Sequence, residues 1–357
     1  MKKLLFFISI AFVLTLTVAN QLMIRTDAAV RLNFTNGIAS PTVTPSPAAS
    51  ASAIKPTPPT IKDEDEVIKI DTELVNLNVR VVDRNNRPIN NLQQKDFKIF
   101  EDGTLQQIDF FSTSEVPTNY ALVVDNSGSI APQLDKVIEA GKVFIDANRP
   151  GDESMVIRFI GRDKIEILQP FTSNRADLLD SLDQFYKEGG QSAIIDAVYL
   201  AVKEVDGYKR SKSSDAKTRR AIILVTDGEE KDSFYNEKQL LELLRESEVQ
   251  IYVVGFVDEL EKGGGFISKS PQAKAKALLE KMATESGGKA YFPSSAAELP
   301  GLAKEISSEL RTQYSIGYIP SNDKHDGTYR SIKVTVADGP KAEKRIALTR
   351  AGRTADK

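Results

Sequence analysis

The 357-residue chain has no cysteine, no tryptophan and a single histidine, His325. Without cysteine there are no disulfides, no thiolate metal ligands, no cysteine nucleophile and no lipidated N-terminal cysteine. One histidine excludes a histidine-rich zinc site and argues against a Ser-His-Asp triad. Charge of one sign is also missing: 47 Lys and Arg against 50 Asp and Glu give a formal net charge of -3. A general nucleic-acid binder carries a clear basic excess, so none is expected here. What remains is the chemistry of carboxylates, hydroxyls and amides. The 41% apolar and 27% charged content is ordinary for a globular protein, and the length suits two or three domains.

Lys2 and Lys3 precede an apolar run at 4–18, the charged and hydrophobic regions of an export signal. The run continues through Gln21, Leu22, Met23 and Ile24 to Arg25, about 20 residues, which is enough to cross a bilayer. Residues 1–24 therefore read as a cleaved signal peptide or a retained anchor. In either case the lysines stay inside and the remainder faces outward, in the periplasm or secreted. The only membrane association expected is through this segment. Residues 41–59, almost entirely Pro, Thr, Ser and Ala, lie in a disordered linker at 25–66 that works as an extended spacer.

Three zones follow. In 67–115, Val75, Leu77, Val79 and Val81 share one face, and Asn76, Asn78 and Arg80 the other, as in a half-buried strand. Glu101, Asp102 and Gly103 join strand-like runs at 97–100 and 105–111. Across 118–312, short apolar runs alternate with helical patterns. That texture implies an α/β fold with a doubly wound, mostly parallel sheet covered on both faces. Within it, 154–160 and 165–168 form an expected antiparallel edge hairpin around the turn 161–164. From 313 to 350 the alternation returns at Tyr314, Ile316 and Tyr318, and at Ile332, Val334 and Val336. Residues 351–357 are expected as a disordered tail.

The first central strand ends in Asp125, Asn126, Ser127, Gly128 and Ser129. In a doubly wound sheet, ligands bind beyond the carboxyl ends of the strands. One carboxylate and two hydroxyls at alternating positions form an all-oxygen cluster suited to a hard cation. A second apolar strand, 221–225, ends in Thr226, Asp227 and Gly228 and delivers another carboxylate to the same edge. Between the two, Gly189, Gly190, Gln191 and Ser192 open a helix.

These residues resemble the von Willebrand factor type A domain with its metal-ion-dependent adhesion site, whose pattern is Asp-x-Ser-x-Ser, a helix-opening Thr and a later Asp. Asp125, Ser127, Ser129 and Asp227 match directly. Ser192 stands where the family has Thr, keeping the hydroxyl and losing a methyl group. The resemblance implies a Rossmann-like fold and a divalent cation, Mg2+ first, with Mn2+ or Ca2+ as alternatives. It implies that the cation is held by Asp125, Ser127, Ser129, Ser192 and Asp227 and leaves one position for an Asp or Glu of a protein partner. No catalytic residue is then expected. The flanking runs 96–103 and 314–318 are similar to those of bacterial secreted von Willebrand factor type A-related proteins.

The competing reading is a metal-assisted hydrolase or phosphotransferase with Asp125 as nucleophile and Asp227 on the cation. Against it, Ser127 fills the place where a haloacid-type motif needs a second Asp, and no general base is apparent. A third reading is a scaffold with an incidental metal. Glu229, Glu230 and Asp232 read as a solvated loop. The basic residues Lys209, Arg210, Lys212, Lys217, Arg219 and Arg220 read as a solvated connector, and Gly263, Gly264 and Gly265 as a flexible loop. Gly287 and Gly288 read as a helix C-cap, and His325 as a hairpin tip. The two β-rich segments flank the central domain, and its first strand and last helix (298–310) both reach the pole opposite the metal. They are therefore expected to form one small β-sandwich, linked to the metal pole by that helix.

Overall fold

The structure, a computed structural model, describes residues 74–208, 218–260 and 270–355. The expected signal or anchor, the linker, the glycine run 263–265 and most of the basic run lie outside the described residues. In chain order the strands are β1 (Val75–Val82), β2 (Phe97–Glu101), β3 (Thr104–Gln106), β4 (Phe110–Ser112), β5 (Thr118–Asp125), β6 (Glu153–Gly161), β7 (Lys164–Thr172), β8 (Arg219–Thr226), β9 (Gln250–Gly255), β10 (Lys289–Tyr291), β11 (Tyr314–Tyr318), β12 (Tyr329–Val336), β13 (Ile346–Leu348) and β14 (Gly352–Thr354). The helices are α1 (Leu134–Asp146), α2 (Arg175–Leu182), α3 (Ile194–Gly207), α4 (Glu237–Glu246), α5 (Pro271–Ser286) and α6 (Leu299–Thr312).

The central sheet runs β10-β9-β8-β5-β6-β7. All its neighbours are parallel except the β6–β7 edge hairpin. Both faces of β5 and β8 are covered, which is why these strands read as unbroken apolar runs rather than alternating ones. Ala121, Val123, Ile222 and Leu224 pack on the face carrying α3, α4 and α5. Tyr120, Leu122, Val124, Ile223 and Val225 pack on the face carrying α1, α2 and α6. From β5 the chain passes by α1 to β6 on one side of β5. It returns by α3 to β8 on the other. The winding reverses between β5 and β8, and their carboxyl ends flank the crevice where such sheets bind ligands. Helix α5 ends on Gly287 in the left-handed region (φ 81°), the expected C-cap.

The two flanking segments build one sandwich. Its sheets are β13-β1-β11-β4 and β14-β12-β2-β3, so each sheet mixes strands from before and after the central domain. Leu77 faces Ile316 across the β1–β11 ladder, and Ile99 faces Val334 across β2–β12. Val75, Leu77, Val79, Val81, Phe97, Ile99, Tyr314, Ile316 and Tyr318 form the buried core, the inward set of a period-two pattern.

Four expectations need correction. The run 105–111, expected as one strand, divides: β3 stays with β2, while β4 crosses to pair with β11. The Gln106 side chain at the break bonds Ser321 through both its amide nitrogen and its oxygen, fixing the corner. The tail expected at 351–357 contains β14, paired to β12 and held by Arg353 on buried Glu101. The outer face of β1 meets the central domain rather than water: Arg80 is buried against Glu309 of α6 at 2.8 Å. Finally, Arg219, read as part of a solvated connector, is among the largest fully buried side chains. Its guanidinium donates to Asn78 Oδ1 at 2.7 Å and to the Gln313 carbonyl at 2.6 Å. Burial pushes it down to about 10, so it remains charged at neutral pH.

Candidate metal centre

Asp125 is the last residue of β5, and the parallel register sets Val124 against Val225 of β8. Asp227 follows β8 directly, so the two carboxylates reach the same crevice. The chain turns immediately after each strand, held by its own carboxylate: the Ser127 amide donates to Asp125 Oδ1 at 2.9 Å, and the Glu229 amide to Asp227 Oδ1 at 3.0 Å. Such Asx turns are what Asp offers at a strand end. Gly128 sits under the third loop, its amide donating to the Gly190 carbonyl at 3.1 Å. Gly190 in turn passes so close to Ile160 that an added Cβ would lie 2.3 Å from the Ile160 Cγ2, so this loop needs glycine there.

All five expected residues converge. Ser192 Oγ donates to Asp125 Oδ2 at 3.2 Å. Ser127 Oγ and Ser129 Oγ are 3.2 Å apart, and the Ser129 hydroxyl donates to Asp227. Asp125, Ser127, Ser192 and Asp227 are buried, whereas Gly128 and Ser129 are exposed and form the mouth. Burial, and after it the Asp227 charge, pushes the Asp125 carboxyl well above the usual carboxylate range. Asp227 is also raised, chiefly by burial. Among the described residues neither carboxylate has an ion-pair partner; Lys231, nearby, is bound to Glu229 at 2.6 Å.

A divalent cation fits this donor set. Two buried, mutually repelling carboxylates lack a counter-charge, and three hydroxyls stand around them, a hard all-oxygen environment. Among the described residues, no three Asp, Glu or His side chains converge well enough to hold an ion by themselves, so hydroxyl ligands are essential to any such site.

Two contributors escaped the sequence reading. The Thr226 hydroxyl donates to Asp125 Oδ2 at 2.5 Å and accepts from the Gly228 amide at 3.0 Å, tying the two strand ends together. Its place directly before Asp227 was the only available signal. Glu230, expected in a solvated loop, is partly buried. It accepts from the Ile195 amide at 2.9 Å and from the Ser233 amide and hydroxyl at 3.1 and 3.0 Å. It thus satisfies an open amide in the first turn of α3, where a carboxylate also suits the helix dipole. The Lys231 and Asp232 amides donate to the Ser192 carbonyl, so the loop after Asp227 holds the loop of Ser192 in place. Asp232 itself lies 3.9 Å from Arg162.

The profile of the von Willebrand factor type A domain matches residues 119–305, more than half of the chain. Fold, topology and site position agree with that match, and the chain belongs to this family. Domains of the family commonly mediate protein–protein binding. The mouse (Mus musculus) inter-alpha-trypsin inhibitor heavy chain 4 is 27% identical over 222 residues, covering 58% of this chain. The chain spans only 22% of that relative's length. Among solved structures, a von Willebrand factor type A protein from Catenulispora acidiphila is 13% identical, with TM-score 0.43, over 78% of this chain and 74% of that one. Proximal thread matrix protein 1 from the mussel byssus, with a zinc-occupied MIDAS motif, is 19% identical, with TM-score 0.42, over 55% and 48%.

Proposed function

We propose that the chain is an exported, non-catalytic binding module that captures an acidic side chain of a protein partner through a divalent cation. The observation that carries this reading is the convergence of two buried carboxylates and three hydroxyls from three separate loops at one sheet crevice. Asp125 and Asp227 supply the charge that retains the cation, and Ser127, Ser129 and Ser192 supply neutral oxygen. When bound, the cation supplies Lewis acidity toward one external carboxylate, Mg2+ being the first choice for hard oxygen donors. The protein's own part is rigidity: Thr226 and Glu230 hold the loops so that the mouth at Gly128 and Ser129 is formed before the partner arrives.

The same reading divides the chain into a signal or anchor at 1–24, a linker at 25–66, a binding domain at 118–312, and a sandwich from the two segments around it. Among the described residues no helix is long and apolar enough to cross a membrane; the export proposal rests on the apolar run behind Lys2 and Lys3. The test is retention on an agarose matrix carrying glutamate side chains. The exported fragment is expected to bind with Mg2+ and elute with EDTA. Equal retention in EDTA, or equal retention of the Ser127→Ala variant, would overturn the proposal.

A further inference from the structure

The loop that carries Ser192 is seated on the end of the β6–β7 hairpin. It joins α2 to α3 and has no regular structure from 185 to 193. Three contacts with the hairpin follow one another along the chain. The Lys164 ammonium, at the start of β7, donates to Glu188 Oε1 at 2.5 Å. Gly190 rests against the Ile160 side chain. Gly161, which ends β6, lies under Gln191, where an added Cβ would come within 3.1 Å of the Gln191 carbonyl oxygen. Ser192 is the next residue, its hydroxyl on Asp125 Oδ2 at 3.2 Å.

These contacts differ in kind. The two at Gly190 and Gly161 are close approaches, which limit where the chain can lie without holding it there. The Tyr186 and Gly190 carbonyls accept from the Asn126 side chain and the Gly128 amide, but those donors stand on the Asp125 loop, so the bonds join one loop to another. Lys164 and Glu188 instead join the loop to the sheet. Among the described residues, Glu188 makes the only side-chain hydrogen bond from 187 to 191. The two residues after it are glycines, which have the most freedom to lose when a loop is ordered. With side chains 34% and 25% exposed, the pair is weakened by water and still partly shielded.

We propose that Lys164 and Glu188 are positioning residues of the cation site, setting how well the Ser192 hydroxyl is preorganised without touching the cation. The inference rests on the cation-binding reading above. Neither residue belongs to the Asp-x-Ser-x-Ser pattern or to the later hydroxyl and Asp, and they meet across 24 positions of sequence. A loop released from the hairpin must be ordered when the cation binds, and that cost lowers affinity.

Calorimetric titration of Mg2+ into the full exported chain separates this role from a simple charge effect. Lys164→Glu makes the surroundings of the crevice more negative, which by itself would tighten the binding of a cation. It also sets two carboxylates against each other and frees the loop, so the expected result has the opposite sign: binding about two- to fivefold weaker than wild type. Adding Glu188→Lys restores the pair in reverse, and the double variant should return to near the wild-type affinity. Circular dichroism of both variants should match wild type, because the pair lies on a partly exposed edge. Unchanged or tighter binding by Lys164→Glu, or a double variant no better than the single one, overturns this inference alone. No Mg2+ binding by wild type overturns the cation-binding reading and this inference with it.

Discussion

The sandwich and the central domain meet across a buried polar contact, and removing one member of it should be costly. Arg80 and Glu309 are paired at 2.8 Å with side chains 7% and 9% exposed. Glu309 also accepts from the Tyr252 hydroxyl at 2.8 Å, which accepts from the Gln313 amide at 2.9 Å. In Glu309→Ala the guanidinium of Arg80, whose Nε already lacks a partner, loses its counter-charge, and Tyr252 loses its acceptor. Stranding one charge of a buried pair costs about 3–5 kcal/mol. Glu309→Gln also leaves Arg80 without a counter-charge, but it keeps an acceptor for the guanidinium and for Tyr252, and should recover about 1–2 kcal/mol of that cost. The double variant Arg80→Met, Glu309→Leu removes both charges and should recover most of the loss, staying about 1–2 kcal/mol below wild type because Tyr252 still lacks its acceptor. Urea unfolding is the assay, followed by circular dichroism and by tyrosine fluorescence, since the chain has no tryptophan. The two probes must coincide for the free energies to be meaningful. A cost below about 1 kcal/mol for Glu309→Ala, or a double variant as unstable as the sum of the singles, would refute the argument.

Gly228→Ala should destabilise by about 1–3 kcal/mol and weaken Mg2+ binding. Its φ is +85°, and the added Cβ would lie 2.8 Å from the Ala275 Cβ beside Asp227; calorimetry and urea titration read both effects. Ala342 sits at φ 58° in an exposed turn, so Ala342→Gly should raise stability by about 1 kcal/mol in the same titration. A fragment of residues 74–117 should show no cooperative unfolding and no dispersed amide spectrum, because both sandwich sheets need strands from beyond residue 312. A folded fragment would contradict the shared core.

Much of the architecture is legible without coordinates because apolar periodicity reports which faces are covered. The unbroken runs of β5 and β8 mark buried parallel strands, and the two aspartates that end them land at one crevice by topology alone. The period-two set Val75, Leu77, Val79 and Val81 likewise marks the sandwich core. Buried polar groups resist the same treatment, since their partners are remote: Arg219 bonds Asn78 and Gln313, 141 and 94 positions away. A basic run gives no sign that one member is interior. Glu230 illustrates the same limit, because a capping carboxylate 35 positions from the amide it satisfies has the composition of a solvated loop. Strand β14, three residues long, is too short for any period to register.

The central claim, that three loops form one cation site, is tested most directly by titrating Mg2+ into the exported fragment and its Asp125→Ala variant by calorimetry. The account predicts one site in wild type, lost or greatly weakened in the variant, whose circular dichroism stays that of the folded protein because Asp125 projects from a strand end. No heat from wild type at millimolar Mg2+, Mn2+ or Ca2+, or identical isotherms for the two proteins, would contradict it.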